Sequence, residues 1–93
     1  MAVTFHIPGP LRAFSGGSRL VEIRTSAATV RDALELLYTE YPGIRDRLIN
    51  EEGRLREHIN IFVGDENIRD TGDFATPLPV HTEISIVPAV SGG

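Results

Sequence analysis

The sequence contains no cysteine, no lysine and no long apolar run. Without cysteine, the chain has no disulfides, thiolate metal sites, iron–sulfur clusters or thiol nucleophile. No apolar run approaches the ~18 residues that a transmembrane helix needs. The nine basic residues are outnumbered by thirteen acidic ones and form no basic run, so we expect neither nucleic acid nor a membrane as a partner. These absences favour a cytoplasmic protein.

The missing lysine also has a chemical consequence. All nine basic residues are arginine, and a guanidinium stays protonated, whereas a lysine amine can attack activated acyl groups. The N-terminus is therefore the only primary amine of the chain.

Four segments alternate apolar and polar residues with the period of a half-buried strand. They are "VTFHI" from residue 3, "RLVEIR" from 19, "HINIFV" from 58 and "TEISIV" from 82. In the last two, the phase places Ile59, Ile61, Val63, Ile84 and Ile86 on the buried side. The "GDEN" turn after the third segment predicts a short returning strand that includes Ile68.

Between the second and third strands the period changes to that of a helix. In "SAATVRDALELLYTEYPG" the spacing of Val30, Leu34, Leu37 and Tyr41 creates one apolar face. Thr29 is a suitable N-cap, and the Pro-Gly pair closes the helix. We expect "IRDRLINEEGRL" to be an irregular or short helical connector.

The resulting order of strand, strand, helix, strand, short strand and strand predicts an α+β domain. A sheet and a helix that bury each other's apolar faces form a two-layer domain. The most natural topology is a β-grasp, with a mixed sheet of about four to five strands packed on one main helix. We assign residues 1–88 to this domain and residues 89–93 to a flexible C-terminal diglycine tail.

Conventional catalytic and metal-binding motifs are missing from the sequence. His6, His58 and His81 lie far apart without a paired ligand spacing. The acidic segment "DENIRDTGD" does not have the spacing of a calcium loop. A free-standing enzyme is therefore not expected.

Phe62 and Val87 are apolar residues on the strand phase assigned to solvent. Single exposed apolar residues are common, but two on neighbouring strands are consistent with a docking patch. The alternative is that the strand phase is shifted by one residue and Phe62 belongs to the core.

The sequence ends in "VPAVSGG", and two hypotheses explain this ending. It is either a frayed terminus or a segment whose terminal carboxylate, on Gly93, is the reactive group. Five residues beyond Pro88 reach at most roughly 17 Å. Gly92 and Gly93 lack side chains, so this segment can enter a narrow active site.

"ATVRDALELLYTEYPGIRDRL", "INIFVGDENIR" and "TEISIVPAVSGG" together resemble the MoaD/ThiS family of ubiquitin-like sulfur carriers. The resemblance covers nearly the whole chain, and its ending is most similar to the carriers of a thiocarboxylate-dependent cysteine pathway. It implies a non-enzymatic sulfur carrier in which Gly93 is adenylated and converted to a thiocarboxylate. Gly92 would give access to the terminus, and Val90 and Ser91 would guide it.

The resemblance also implies that the carrier binds no cofactor itself and acts together with partner proteins. An adenylyltransferase resembling ubiquitin-activating enzymes would use ATP and magnesium, and a sulfur donor would follow. The acceptor would be a PLP-dependent cysteine synthase or, as the second choice, the large subunit of molybdopterin synthase. The alternative function is a ubiquitin-like protein modifier, or a binding module with an inert tail.

Overall fold

The structure is a computed structural model that describes residues 2–79 and 82–88. It contains strands β1 (Ala2–His6), β2 (Leu20–Arg24), β3 (Ile59–Val63), β4 (Glu66–Asn67) and β5 (Glu83–Pro88), and helices α1 (Val30–Glu40), α2 (Pro42–Leu48) and α3 (Ile68–Thr71). Two short 3-10 helices, Gly9–Phe14 and Asp73–Ala75, complete the described elements.

The five strands form one mixed sheet in the order β2-β1-β5-β3-β4. β1 and β5 are parallel at the centre of the sheet, whereas the other pairs are antiparallel. Phe5 pairs with Ile84, and Ile61 pairs with Ile86. All four of these side chains are buried on the inner face. The predicted α+β fold with a mixed sheet is confirmed.

Helix α1 covers the inner face of the sheet and supplies five of the twenty described buried apolar residues of the core. Its buried residues are Val30, Ala33, Leu34, Leu37 and Tyr38. The Thr29 side chain caps the helix as predicted, since its hydroxyl oxygen accepts a hydrogen bond from the Asp32 amide at 3.3 Å. Tyr41, which the sequence placed on the apolar face, is only partly buried because the helix ends at Glu40 and the next backbone angles are not helical.

The segment after α1 folds into the short helical connector that the sequence predicted. Pro42 occupies the first turn of α2, where its missing N–H costs no hydrogen bond. Ile44 and Leu48 are fully buried and join this helix to the core. The ring of Phe14, from the first 3-10 helix, lies 4.4 Å below the Arg47 guanidinium and closes this end of the molecule.

The prediction that Ile68 lies in a strand was wrong. The returning strand β4 is only two residues long, and Ile68 is the first residue of α3. The Asn67 side-chain oxygen accepts a hydrogen bond from the Arg69 amide at 3.0 Å and starts the helix. This turn directs Ile68 into the core, where it is completely buried. The 3-10 helix after β1 was not predicted either.

Among the described residues, no helix combines the length and the apolar character required to cross a bilayer.

Replacing Leu34 with alanine should destabilise the domain by roughly 2–5 kcal/mol, because a buried leucine leaves a cavity when truncated. Leu34 is 1% exposed, whereas Leu36 on the same helix is 39% exposed. Leu36→Ala is therefore the matched control and should cost less than about 1 kcal/mol. Urea unfolding monitored by circular dichroism measures both changes. Equal losses for the two variants would contradict the assignment of the helix faces.

Tyr38 should make the stability of the domain sensitive to alkaline pH. Burial raises the pKa of its phenol above the ordinary value of 10.0, the Glu35 carboxylate raises it further, and Arg45 opposes the shift. Below pH ~10 the folded and unfolded states hold this proton equally. As pH rises further, only the unfolded state loses the proton, so stability falls.

Tyr38→Phe should therefore lose less stability than the wild type between pH 8 and roughly 11. The comparison is favourable because lysine, which titrates in the same range, is absent. Urea unfolding at several pH values gives the slope for each protein. Identical slopes would show that the phenol ionises equally well in the folded state.

Candidate functional site

Phe62 and Val87 lie close together on the outer face of the sheet, which α1 does not cover. In β3 the buried residues are Ile59, Ile61 and Val63, whereas Phe62 between them is partly exposed. Val87 is 41% exposed. The strand phase predicted from the sequence is therefore confirmed, and the alternative that Phe62 belongs to the core is wrong.

The register of the sheet makes these two residues diagonal neighbours. Phe62 pairs with Ser85, and Val87 pairs with Asn60. Diagonal positions on adjacent antiparallel strands lie roughly 7–8 Å apart, within reach of an aromatic side chain. A single partner surface can therefore contact both Phe62 and Val87.

A third apolar residue, Leu20, lies on the same face at the far edge of the sheet. It pairs with His6 on β1, and His6 pairs with Ser85 on β5. These pairings place Leu20, His6, Ser85 and Phe62 in one row across four strands. Leu20 is 48% exposed. Its alternation with buried Val21 was a usable sequence signal that was not recognised.

A polar contact lies in the middle of this outer face. The His6 imidazole nitrogen Nε2 contacts the Glu83 carboxylate, and this pair joins the parallel strands β1 and β5. Both side chains are solvent-accessible, as the sequence predicted for His6. The outer face thus mixes three apolar side chains with polar ones, and non-obligate interfaces are of similarly mixed composition.

The outer face includes residues of β5, which is the last described strand of the chain. Val87 is followed by Pro88, the last residue of β5, which pairs with Ile59. The other predicted site residues, Val90, Ser91, Gly92 and Gly93, lie outside the described residues, as does His81. The geometry therefore brings Phe62 and Val87 together, and Val87 directly precedes Pro88, the last described residue.

The remaining histidine, His58, belongs to no metal-binding cluster among the described residues. Within residues 2–79 and 82–88, no cluster of three or more histidine, aspartate or glutamate side chains has the arrangement of a metal site. His58 is exposed beside Asp46, Arg47 and Arg56 at a shallow surface depression.

The chain is similar to a known protein family over most of its length. Residues 5–93 match the model of the ThiS family. The chain is 37% identical over 95 residues to sulfur carrier protein CysO of Mycobacterium tuberculosis, and the match spans 100% of both proteins. These matches confirm the family resemblance inferred from the helix, strand and terminal motifs. The relative is named as a carrier, which agrees with the prediction of a protein that is not itself an enzyme.

Two further proteins are similar to this chain, one in structure and one in sequence. A chain in the crystal structure of the BexX/CysO complex of Amycolatopsis orientalis superimposes with a TM-score of 0.85 at 34% identity, covering 98% of this chain and 99% of that one. Small archaeal modifier protein 3 of Haloferax volcanii is 36% identical over 66 residues, which is 71% of each protein. The similar proteins thus include some named as carriers and some named as modifiers.

Proposed function

The chain belongs to the ThiS family, and on that premise we propose that it is a sulfur carrier protein that works through the terminal carboxylate of Gly93. The observation that carries this proposal is the full-length similarity to CysO proteins. The partly apolar outer face, located where the chain leaves the sheet, supports it.

The proposed chemistry begins with activation of the carboxylate. A terminal carboxyl group has a pKa near ~3.5, so at neutral pH it is an anion and a poor electrophile. One of its oxygens attacks the α-phosphorus of ATP on a magnesium-dependent adenylyltransferase, and pyrophosphate leaves. The product is an acyl-adenylate, in which the Gly93 carbonyl carbon is open to attack.

The second step introduces sulfur. A sulfide anion attacks the activated carbonyl, the bond to the adenylate oxygen breaks, and AMP leaves. The resulting thiocarboxylate is a soft anionic nucleophile whose reactivity follows that of thiolates. Because Gly92 and Gly93 carry no side chains, the backbone can pass through a narrow channel. In the proposal, Val90 and Ser91 guide it.

We assign recognition to Phe62 and Val87 on the outer face. A span of roughly 17 Å beyond Pro88 lets the domain dock on a partner while Gly93 enters the partner's active site. The acceptor we favour is a PLP-dependent cysteine synthase, because the chain is 37% identical to CysO proteins over their whole length. A molybdopterin synthase large subunit is the second choice. In Amycolatopsis orientalis, CysO forms a complex with BexX, which supports docking of such carriers on a second protein.

A second candidate function is protein modification, since two archaeal relatives are named as modifiers. The same acyl-adenylate would then react with a lysine amine of a target protein. Because this chain has no lysine, it offers no side-chain amine for joining a second copy to itself. Conjugates on other proteins, detected by mass spectrometry of tryptic peptides from cells, would favour modification over sulfur transfer.

Incubation with a cognate adenylyltransferase, ATP, magnesium and sulfide should increase the intact mass by about 16 Da, because sulfur replaces one oxygen. A variant lacking Gly92 and Gly93 is the control. It should keep its melting temperature within about 2 °C, since deletion of a short terminal segment removes few buried contacts, and it should show no gain in mass. An unchanged wild-type mass, with an enzyme that is active on another carrier, would contradict the proposal.

Phe62→Asp should weaken binding to the adenylyltransferase by at least about 30-fold, since a buried aromatic anchor can contribute ~2 kcal/mol or more to a small interface. Because Phe62 is partly exposed, the variant should remain folded. Ser26→Asp, at an exposed position in the connection between β2 and α1, adds the same charge outside the sheet and should leave the affinity within about 2-fold of the wild type. Isothermal titration calorimetry measures affinity, and circular dichroism checks the fold. Equal affinities for Phe62→Asp and the wild type would show that this face is not the docking site.

A further inference from the structure

An arginine-lined cavity borders α1 and α3, its lining does not include Phe62 or Val87, and the proposed sulfur chemistry does not use it. The cavity has a volume of about 470 Å³ and is lined by Arg31, Gly53, Arg54, Leu55, Arg69, Asp73 and Phe74. Three guanidiniums against one carboxylate give these walls a net charge of +2, whereas the whole chain carries −4. Positive charge is thus concentrated at one concave place on an acidic protein.

Arg69 is held in a fixed orientation within this cavity. Its Nε donates a hydrogen bond to the Asn60 side-chain oxygen at 3.2 Å. Its Nη2 donates to the carbonyl oxygens of Arg56 at 2.9 Å and Ile59 at 2.7 Å. These bonds use three of the five N–H groups of a guanidinium. The two N–H groups on Nη1 form no hydrogen bond to the described residues and remain available to a ligand.

Arg54 lies on a loop whose backbone is equally well ordered by hydrogen bonds. The Asn50 side-chain oxygen accepts from the amides of Glu52 and Arg54 at 2.9 and 3.0 Å. Gly53 adopts a φ of +78°, a conformation that favours glycine, which lets the loop turn back toward the cavity. The position of the Arg54 backbone is therefore set before any ligand binds.

In the described part of the chain, neither Arg31 nor Arg54 has a carboxylate within 4.0 Å. Within the described part of the chain, the pairs closer than 4.0 Å are His6–Glu83 and Arg45–Asp46. The single carboxylate of the cavity belongs to Asp73, whose backbone carbonyl accepts hydrogen bonds from the amide and hydroxyl of Thr76 at 3.1 and 2.7 Å. With three guanidiniums and one carboxylate among its lining side chains, the cavity favours an anion.

We propose that this cavity binds a small phosphate-bearing molecule with at least two negative charges. Guanidiniums match the oxygens of phosphate in paired hydrogen bonds. The volume lies within the roughly 300–1,000 Å³ range of small-ligand sites. Leu55, which is buried, and Phe74, which is partly buried, provide an apolar surface for the remainder of such a molecule. Phe62 and Val87 do not line this site, which binds its ligand whether or not the chain carries sulfur.

Titration of the full chain with pyrophosphate at constant ionic strength tests the proposal, with amide shifts followed by NMR. Saturable shifts should be confined to Arg31, residues 53–55, Arg69 and residues 73–74. Arg54→Gln should weaken binding at least about 10-fold. Arg24→Gln removes the same charge from β2, at the opposite edge of the sheet, and should change affinity by less than about 2-fold, as expected for a distant screened charge. AMP should compete with pyrophosphate for the same residues.

Arg54→Gln should remain folded, because the loop is ordered through its backbone, and circular dichroism checks this. Arg31→Gln, an exposed position on α1, provides a second variant with the same expected loss. Three results would overturn the proposal: shifts that do not saturate, equal losses for Arg24→Gln and Arg54→Gln, or tighter binding of an acidic peptide than of pyrophosphate.

Discussion

The structure depends on the position of β5 at the centre of the sheet. This last strand pairs in parallel with β1 on one side and antiparallel with β3 on the other. Its inner residues Ile84 and Ile86 are buried beneath α1, and the pairing of Thr4 with Glu83 connects the two ends of the sequence. A strand with partners on both sides leaves no free edge. The last residues of the chain therefore continue from a strand that is paired on both sides.

Because successive side chains of a strand point to opposite faces, the two faces of the sheet have different roles. Alternate residues build the core under α1, and the residues between them form an outer face that none of the described helices covers. The positions of Phe62 and Val87 follow directly from this alternation, because their immediate neighbours Ile61 and Ile86 are fixed in the core. A partner can consequently bind the outer face without disturbing the packing that stabilises the fold.

Much of this architecture was predictable from the sequence, because periodic burial leaves a local pattern. The phases of β3 and β5, the apolar face of α1 and the Thr29 cap were all predicted correctly. The helical position of Ile68 was not predicted. It depends on the Asn67 cap and on contacts with distant residues rather than on alternation. The arginine-lined cavity was also missed. Arg31, Arg54 and Arg69 are separated in sequence, and only the packing of α1, α3 and the loop at 50–54 brings them to one cavity.

The central claim is that the outer face provides recognition and the chain end provides chemistry. The most direct test uses the protein without Gly92 and Gly93 as a competitor in adenylation of the wild-type chain. If recognition resides on the outer face, the truncated protein should inhibit with a constant within about 3-fold of the wild-type Kd, a difference below ~1 kcal/mol. Absence of inhibition at concentrations far above that Kd would show that the terminal residues carry the recognition themselves, and it would contradict the account.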